Sequence, residues 1–289
     1  MSEAAPICRT ALLVEYFGKG FHGSQAQKKN IRTVQSVLEE ALSTWLRLKK
    51  PIRVMFSGRT DSGVHALGQV GHFDLPADYS SQQSLDMQAL CWGLNGILPA
   101  DVSVRAAAPV DPAFHARYSA VERKYVYRIL NHKQRSPLLR DTHFFIREPL
   151  ALESMQEAIA CLVGSHDFAA FKSSNADRLT TVCAVSKAQL LHLGEGELEF
   201  SIAANHFVYN MIRIIAGTVI EIGLNKKATP SLELALRKRE RQLAGPTAPA
   251  RGLCLVSVKY PPPYTDIFTD VKAREKTSED LQCRSYGAT

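Results

Sequence analysis

The chain has 289 residues, of which 45% are hydrophobic, and its 35 Lys and Arg outnumber 28 Asp and Glu to give a net charge of +7. A chain this long can bury one full core or two modest ones, and a basic balance favours a polyanionic partner. The six cysteines make no C-x-x-C pair and no zinc-ligand spacing, no apolar run reaches the ~18 residues of a membrane span, and no charged start precedes an apolar segment; the composition therefore speaks against a disulfide scaffold, a zinc site, membrane insertion and secretion, and for reduced thiols in the cytoplasm.

In chain order, Ala11–Tyr16 is apolar on both alternating faces, the mark of a central strand. Thr33 can cap a helix whose stripe runs through Val34, Val37, Leu38, Ala41, Leu42, Trp45 and Leu46. Strands are expected over Ile52–Ser57 and Gln69–Leu75, with the loop GRTDSGVHA (Gly58–Ala66) between them, then a helix over Leu85–Leu94 and a strand over Val102–Ala107. This β-α-β-β-α-β order is that of ferredoxin-like units. The second half repeats it: a strand over Ser119–Leu130, a helix over Leu152–Leu162, strands over Val182–Leu193 and Leu198–Ala204, a helix over His206–Ile222 and a strand over Leu253–Val258, with an extra helix over Ser231–Leu243. The expected fold class is α+β. Two ferredoxin-like units, residues 1–110 and 111–260, lie edge to edge in one extended mixed or antiparallel sheet, with helices on one face and the other face left as the floor of a ligand cleft. After Pro261-Pro262-Pro263, residues 261–289 read as a polar tail.

Three positions carry chemistry on their own terms. A strand ending in Gly-Arg-Thr-Asp-Ser-Gly can hold the Asp61 carboxylate rigidly as a nucleophile, although a lone TDSG is more often a polar turn. In Arg123-Lys124-Tyr125-Val126-Tyr127, alternation places Arg123, Tyr125 and Tyr127 on one face of a strand. Arg213 sits in a helix that is apolar almost all round, where a guanidinium needs an anion unless it snorkels to solvent or binds phosphate. His65 and His72 read as structural, and Lys226-Lys227 and Arg237–Arg241 as solvated faces.

The segments EYFGKGFHG (Glu15–Gly23), TVQSVLEEAL (Thr33–Leu42), GRTDSGVHALGQVGHF (Gly58–Phe73), FHARYSAVERKYVYRI (Phe114–Ile129) and NHFVYNMIRIIAGTVIEIG (Asn205–Gly223) resemble, in order and spacing, the tRNA pseudouridine synthase A family. That family commonly carries tryptophan where this chain has Ser24. The resemblance implies conversion of uridine to pseudouridine in the anticodon arm of tRNA by a cytoplasmic homodimer, with no cofactor and no metal. It gives Asp61 as the nucleophile, Tyr125 as the ring that stacks on uracil and assists removal of the C5 proton, Arg213 as the partner of Asp61, and Arg59 as the side chain that replaces the flipped nucleotide. It further implies RNA contacts by Phe114, His115, Ala116, Arg117, Tyr118, Lys172, Asn175 and Arg178. The alternatives are a synthase acting at other tRNA or RNA positions and a non-catalytic RNA-binding or RNA-folding module, which would have no need of Asp61, a carboxylate that repels phosphate.

Overall fold

A computed structural model describes residues 8–27, 31–48, 51–75, 85–173 and 180–268. The first repeat comprises β1 (Cys8–Tyr16), α1 (Val34–Trp45), β2 (Met55–Phe56), β3 (His65–Leu75), α2 (Met87–Ile97) and β4 (Val102–Val110). The second comprises β5 (Glu122–Asn131), β6 (Phe144–Ile146), α3 (Leu152–Ile159), β7 (Gly164–Asp167), β8 (Val182–Gly194), β9 (Glu197–Ala204), α4 (Met211–Gly223), α5 (Ser231–Lys238) and β10 (Leu253–Lys259). Ten strands form one mixed sheet in the order β4-β1-β3-β10-β5-β9-β8-β7, with β2 added to β3 and β6 to β5. Each repeat thus orders its four principal strands in the same way, β4-β1-β3-β2 and β10-β5-β9-β8.

Local chemistry explains the helices. Thr33 accepts a hydrogen bond from the Ser36 N–H and the Ser36 hydroxyl accepts from the Thr33 N–H, a reciprocal cap on α1. The Asp86 carboxylate accepts from the N–H groups of Gln88 and Ala89 at the start of α2. One large core lies between sheet and helices, where Leu12 and Val14 of β1 meet Leu38 and Leu42 of α1, and Tyr127 and Ile129 of β5 share the cluster with Ile214 and Ile215 of α4. The opposite face carries a smaller cluster in which Ala11, Val70, Phe114, Ala116 and Tyr260 are buried.

Several boundaries differ from the sequence expectation. The strand expected over Ile52–Ser57 shrinks to Met55–Phe56, paired with His72 and Gly71 of β3, while β10 pairs in parallel with the other end of that β3 edge at His65 and Ala66. The helix expected from His206 begins at Met211, after Asn210 adopts a left-handed backbone with φ of 62°. The α5 pattern breaks at Arg239, also left-handed, and resumes only as a 3-10 turn over Arg241–Leu243. The tail does not leave the fold at Pro261: a turn donates the Tyr264 N–H to the Pro261 carbonyl, and Tyr264, Ile267 and Phe268 pack on the smaller cluster.

Candidate active site

The loop from Ser57 to Val64 leaves the sheet where β2 stops, and a buried polar network holds it from behind. Ser57 Oγ donates to Gln69 Oε1 at 2.6 Å, Gln69 Nε2 donates to the Gly58 carbonyl at 3.0 Å, and the hydroxyls of Tyr16 and Thr60 lie 2.7 Å apart. The Thr60 N–H donates to Ser24 Oγ at 2.8 Å and the Ser24 N–H donates to the Thr60 carbonyl at 3.1 Å. Gly23 makes that approach possible, since it has φ of +95° and a Cβ there would stand 2.9 Å from the Thr60 carbonyl oxygen. Thr60 is buried, while its neighbours Arg59 and Ser62 are exposed and Asp61 is half-buried.

Asp61 meets the arginine of the second repeat. Arg213 Nη1 stands 3.3 Å from Asp61 Oδ2, with each side chain 18% exposed. Arg213 also donates from Nε to the Ala248 carbonyl at 2.8 Å and from Nη1 to Asn210 Oδ1 at 2.9 Å. The guanidinium is therefore aimed by its own half of the protein and does not depend on Asp61 alone. Burial pushes the Asp61 carboxyl above its ordinary value, and the Arg213 charge and hydrogen bond pull against that rise.

Tyr125 of β5 lies beside this pair. Its ring packs edge-on to Phe207 with centroids 5.3 Å apart. Burial pushes its phenol far above the ordinary value, and the nearby Tyr16 and Asp61 add to the rise. Tyr127 is fully buried and donates from its hydroxyl to the Pro249 carbonyl at 2.9 Å, a structural role. Arg59 is exposed and has no hydrogen bond or ion pair with any described residue. Because Arg213 projects from a helix and Tyr125 belongs to the helix-side core, the Asp61 cluster lies on the helix side of the sheet. Part of the other face of the sheet is covered by the Phe114 and Tyr260 segments.

The segment Phe114–Tyr118 divides into buried and open parts. Phe114 and Ala116 are fully buried, and Ala116 uses its N–H on His72 Nδ1 and its carbonyl on the Tyr260 hydroxyl. Neither can touch RNA with its side chain, which corrects that part of the expectation. His115 accepts from the N–H groups of Arg117 and Tyr118, and the Arg117 guanidinium lies 5.7 Å from the Tyr118 ring, which is 77% exposed. Lys172 is half-buried next to Ser173, whose hydroxyl accepts from Asn210 Nδ2 at 2.8 Å, at the rim of the Arg213 site. Asn175 and Arg178 lie outside the described residues.

His65 and His72 are held by backbone. His65 Nδ1 accepts from the Gly18 N–H, so Nε2 carries the proton and faces the carbonyls of Asp141 and Arg251, both at 3.0 Å. Sequence reasoning did not assign Arg123, which is buried and donates to the backbone carbonyls of Ser57, Arg117, Ala120 and Asn205. It ties the start of the Asp61 loop to both strand ends of the second repeat. The only signal for it was its place on the Tyr125 face of the strand.

The tRNA pseudouridine synthase family profile matches residues 12–119 and 158–261. The tRNA pseudouridine synthase A of Halalkalibacterium halodurans is 43% identical over 85% of this chain and 90% of its own. That of Geobacter sp. (strain M21) is 41% identical over 86% of this chain and 98% of its own, and that of Thermoanaerobacter sp. (strain X514) is 38% identical over the same shares. Among solved structures, the archaeal box H/ACA sRNP Nop10-Cbf5 complex is similar over 85% of this chain and 45% of that chain at 11% identity, with a TM-score of 0.29 that carries no weight. A chain about 40% identical to these enzymes over most of its length belongs to the tRNA pseudouridine synthase A family.

Proposed function

We propose that this isomerase converts uridines in the anticodon arm of tRNA to pseudouridine, with Asp61 as the nucleophile. The observation that supports the assignment most is the Arg213–Asp61 pair: a carboxylate from the first repeat meets a guanidinium from the second beside a buried tyrosine. The reaction breaks the bond between N1 of uracil and C1′, turns the base, and joins C5 to C1′. An ionised Asp61 can attack C1′ or C6, and in either case the base stays bound while it rotates. Arg213 keeps the carboxylate aimed and opposes the protonation that burial favours.

Tyr125 serves as a wall on which uracil stacks. Its phenol keeps its proton at neutral pH, so it does not act as a phenolate base, and the C5 proton falls to the Asp61 carboxylate after its release or to a water. Exposed and unpaired with other described residues, Arg59 is suited to enter the RNA stem in place of the flipped nucleotide and offset the few kcal/mol of unstacking. Of the expected RNA contacts, His115, Arg117, Tyr118 and Lys172 are the described positions open enough to contact backbone or stacked bases. Residues 1–110 and 111–260 act as the two lobes of this site, and the working form is a cytoplasmic homodimer; that reading rests on resemblance, and sedimentation of the purified protein tests its oligomeric part.

The test of function is incubation of purified protein with unmodified tRNA transcripts, followed by chemical mapping of pseudouridine. Pseudouridine in the anticodon arm is expected. Modification only elsewhere would keep the chemistry and remove the site assignment, and none at all would contradict the proposal.

A further inference from the structure

We propose that Ser24 is a positioning residue for the Asp61 loop, holding the Thr60 peptide from both sides so that Arg59 and Asp61 are presented together. The inference rests on the proposed role of Asp61 and goes beyond it. It begins from burial: Ser24 is 0% exposed, and its side chain accepts the Thr60 N–H at 2.8 Å while its own N–H donates to the Thr60 carbonyl at 3.1 Å. Both polar groups of one loop residue are thus held by one residue of another segment. A main-chain contact alone would fix the Thr60 carbonyl and leave the N–H, the group nearest Arg59, without its partner.

The Ser24 segment is itself anchored. The Gln35 N–H at the start of α1 donates to the Ser24 carbonyl at 2.9 Å, so the clamp is referred to a capped helix. On the far side, the hydroxyls of Thr60 and Tyr16 lie 2.7 Å apart, and Gln69 Nε2 reaches Tyr16 at 3.5 Å. Thr60 is therefore fixed through its N–H, its carbonyl and its hydroxyl. Asp61 is the next residue, and its only described side-chain partner is Arg213. The Ser24 hydroxyl holds the Arg59–Thr60 peptide through the Thr60 N–H, and a tilt of that peptide would turn the loop at Thr60 and carry the Asp61 carboxylate away from a guanidinium that Ala248 and Asn210 hold in place. A serine meets the need because it is small enough for a site without solvent and brings an acceptor oxygen; a tryptophan at this position could not supply that acceptor.

The test is Ser24→Ala, which removes one oxygen atom from the full-length protein and leaves the main-chain half of the clamp intact. Its turnover on tRNA transcript is measured against pH and compared with its folded fraction from denaturant titration. The expected result is a kcat lowered roughly 10- to 100-fold, the scale of a small misplacement of reacting groups, with KM for tRNA within about threefold of the parent. The acid limb of kcat should also move to higher pH, because a carboxylate that has lost its aim at Arg213 keeps the burial and loses the opposing charge. Loss of folded protein alone would scale kcat without moving that limb. An unchanged kcat, a fall equal to the folded fraction lost, or an acid limb that stays in place would each overturn the proposal. If the parent protein itself made no pseudouridine, the functional assignment would fail instead, so the two failures are distinct.

Discussion

The β2–β3 and β8–β9 pairs occupy the same place in the two repeats and have opposite characters. β8 and β9 form a long ladder closed by Glu195-Gly196, two residues with positive φ, as a tight hairpin requires. β2 has two residues, and the connection from it to β3 is the loop that carries Asp61. The difference arises because β10 of the second repeat takes the edge of β3 that a longer β2 would have used. An interrupted ladder frees backbone from the sheet without opening the core, and Ser24, Gln69 and Arg123 supply side-chain partners to the Thr60 N–H and to the Gly58 and Ser57 carbonyls. The site thus sits where two similar units join and their symmetry fails.

Substitutions at this seam should separate chemistry from scaffolding. Asp61→Asn should have the largest effect, abolishing pseudouridine formation while tRNA affinity stays equal or rises slightly, since one negative charge leaves an RNA-facing site. Mapping together with a filter-binding titration checks both halves. Arg213→Met should lower kcat by about 100-fold and move its acid limb to higher pH, because burial of Asp61 is then unopposed. Arg59→Ala should follow, with turnover on folded tRNA falling more than binding does. A salt-dependence slope lower by about one unit with kcat unchanged would instead make Arg59 a plain phosphate contact.

The smallest effect concerns pH and stability. Burial holds His65 below its ordinary value and His72 at about 4, so both favour the neutral ring in the fold. Their contribution is fully present above the unfolded value near 6.5 and is lost as pH falls toward the folded value, which for His72 means between about 6.5 and 4. Asp61 works in the other sense: with its folded value raised, its protonation on acidification favours the fold while it removes the proposed nucleophile. Denaturant midpoints measured from pH 7 to pH 4 should therefore decline in the parent, and His72→Gln should flatten the slope.

Much of the scaffold was legible in the sequence because it rests on local signals. The Thr33 cap, the α1 stripe and the alternation of β5 each lie within one element and appear where expected. The pairing that replaces a β2–β3 hairpin at His65 and Ala66 was not legible, since its partner is β10, almost two hundred residues after β2 in the chain. The late start of α4 depends on the left-handed backbone of Asn210, which apolar spacing does not reveal. For the site, the apolar surroundings of Arg213 called for an anion, yet only the family resemblance connected it to Asp61, 152 residues away. Ser24 looked like a missing tryptophan and Phe114 like an RNA contact. The fold gives the first a partner and buries the second, because both outcomes depend on which segments cross in space.

The pair that joins the two repeats is most directly tested by a double-mutant cycle in stability at pH 7, with the parent, Asp61→Asn, Arg213→Met and the double variant. Since Arg213 keeps Ala248 and Asn210 as acceptors and burial disfavours the Asp61 charge, Asp61→Asn alone should cost little or nothing. Arg213→Met should cost more when Asp61 is present than when it is Asn, by about 1 kcal/mol or more, because only the carboxylate is left as an unpaired, partly buried charge. Equal costs in the two backgrounds, within about 0.3 to 0.5 kcal/mol, would mean that the two side chains do not act on each other, and the account of a catalytic pair built across the seam would be wrong.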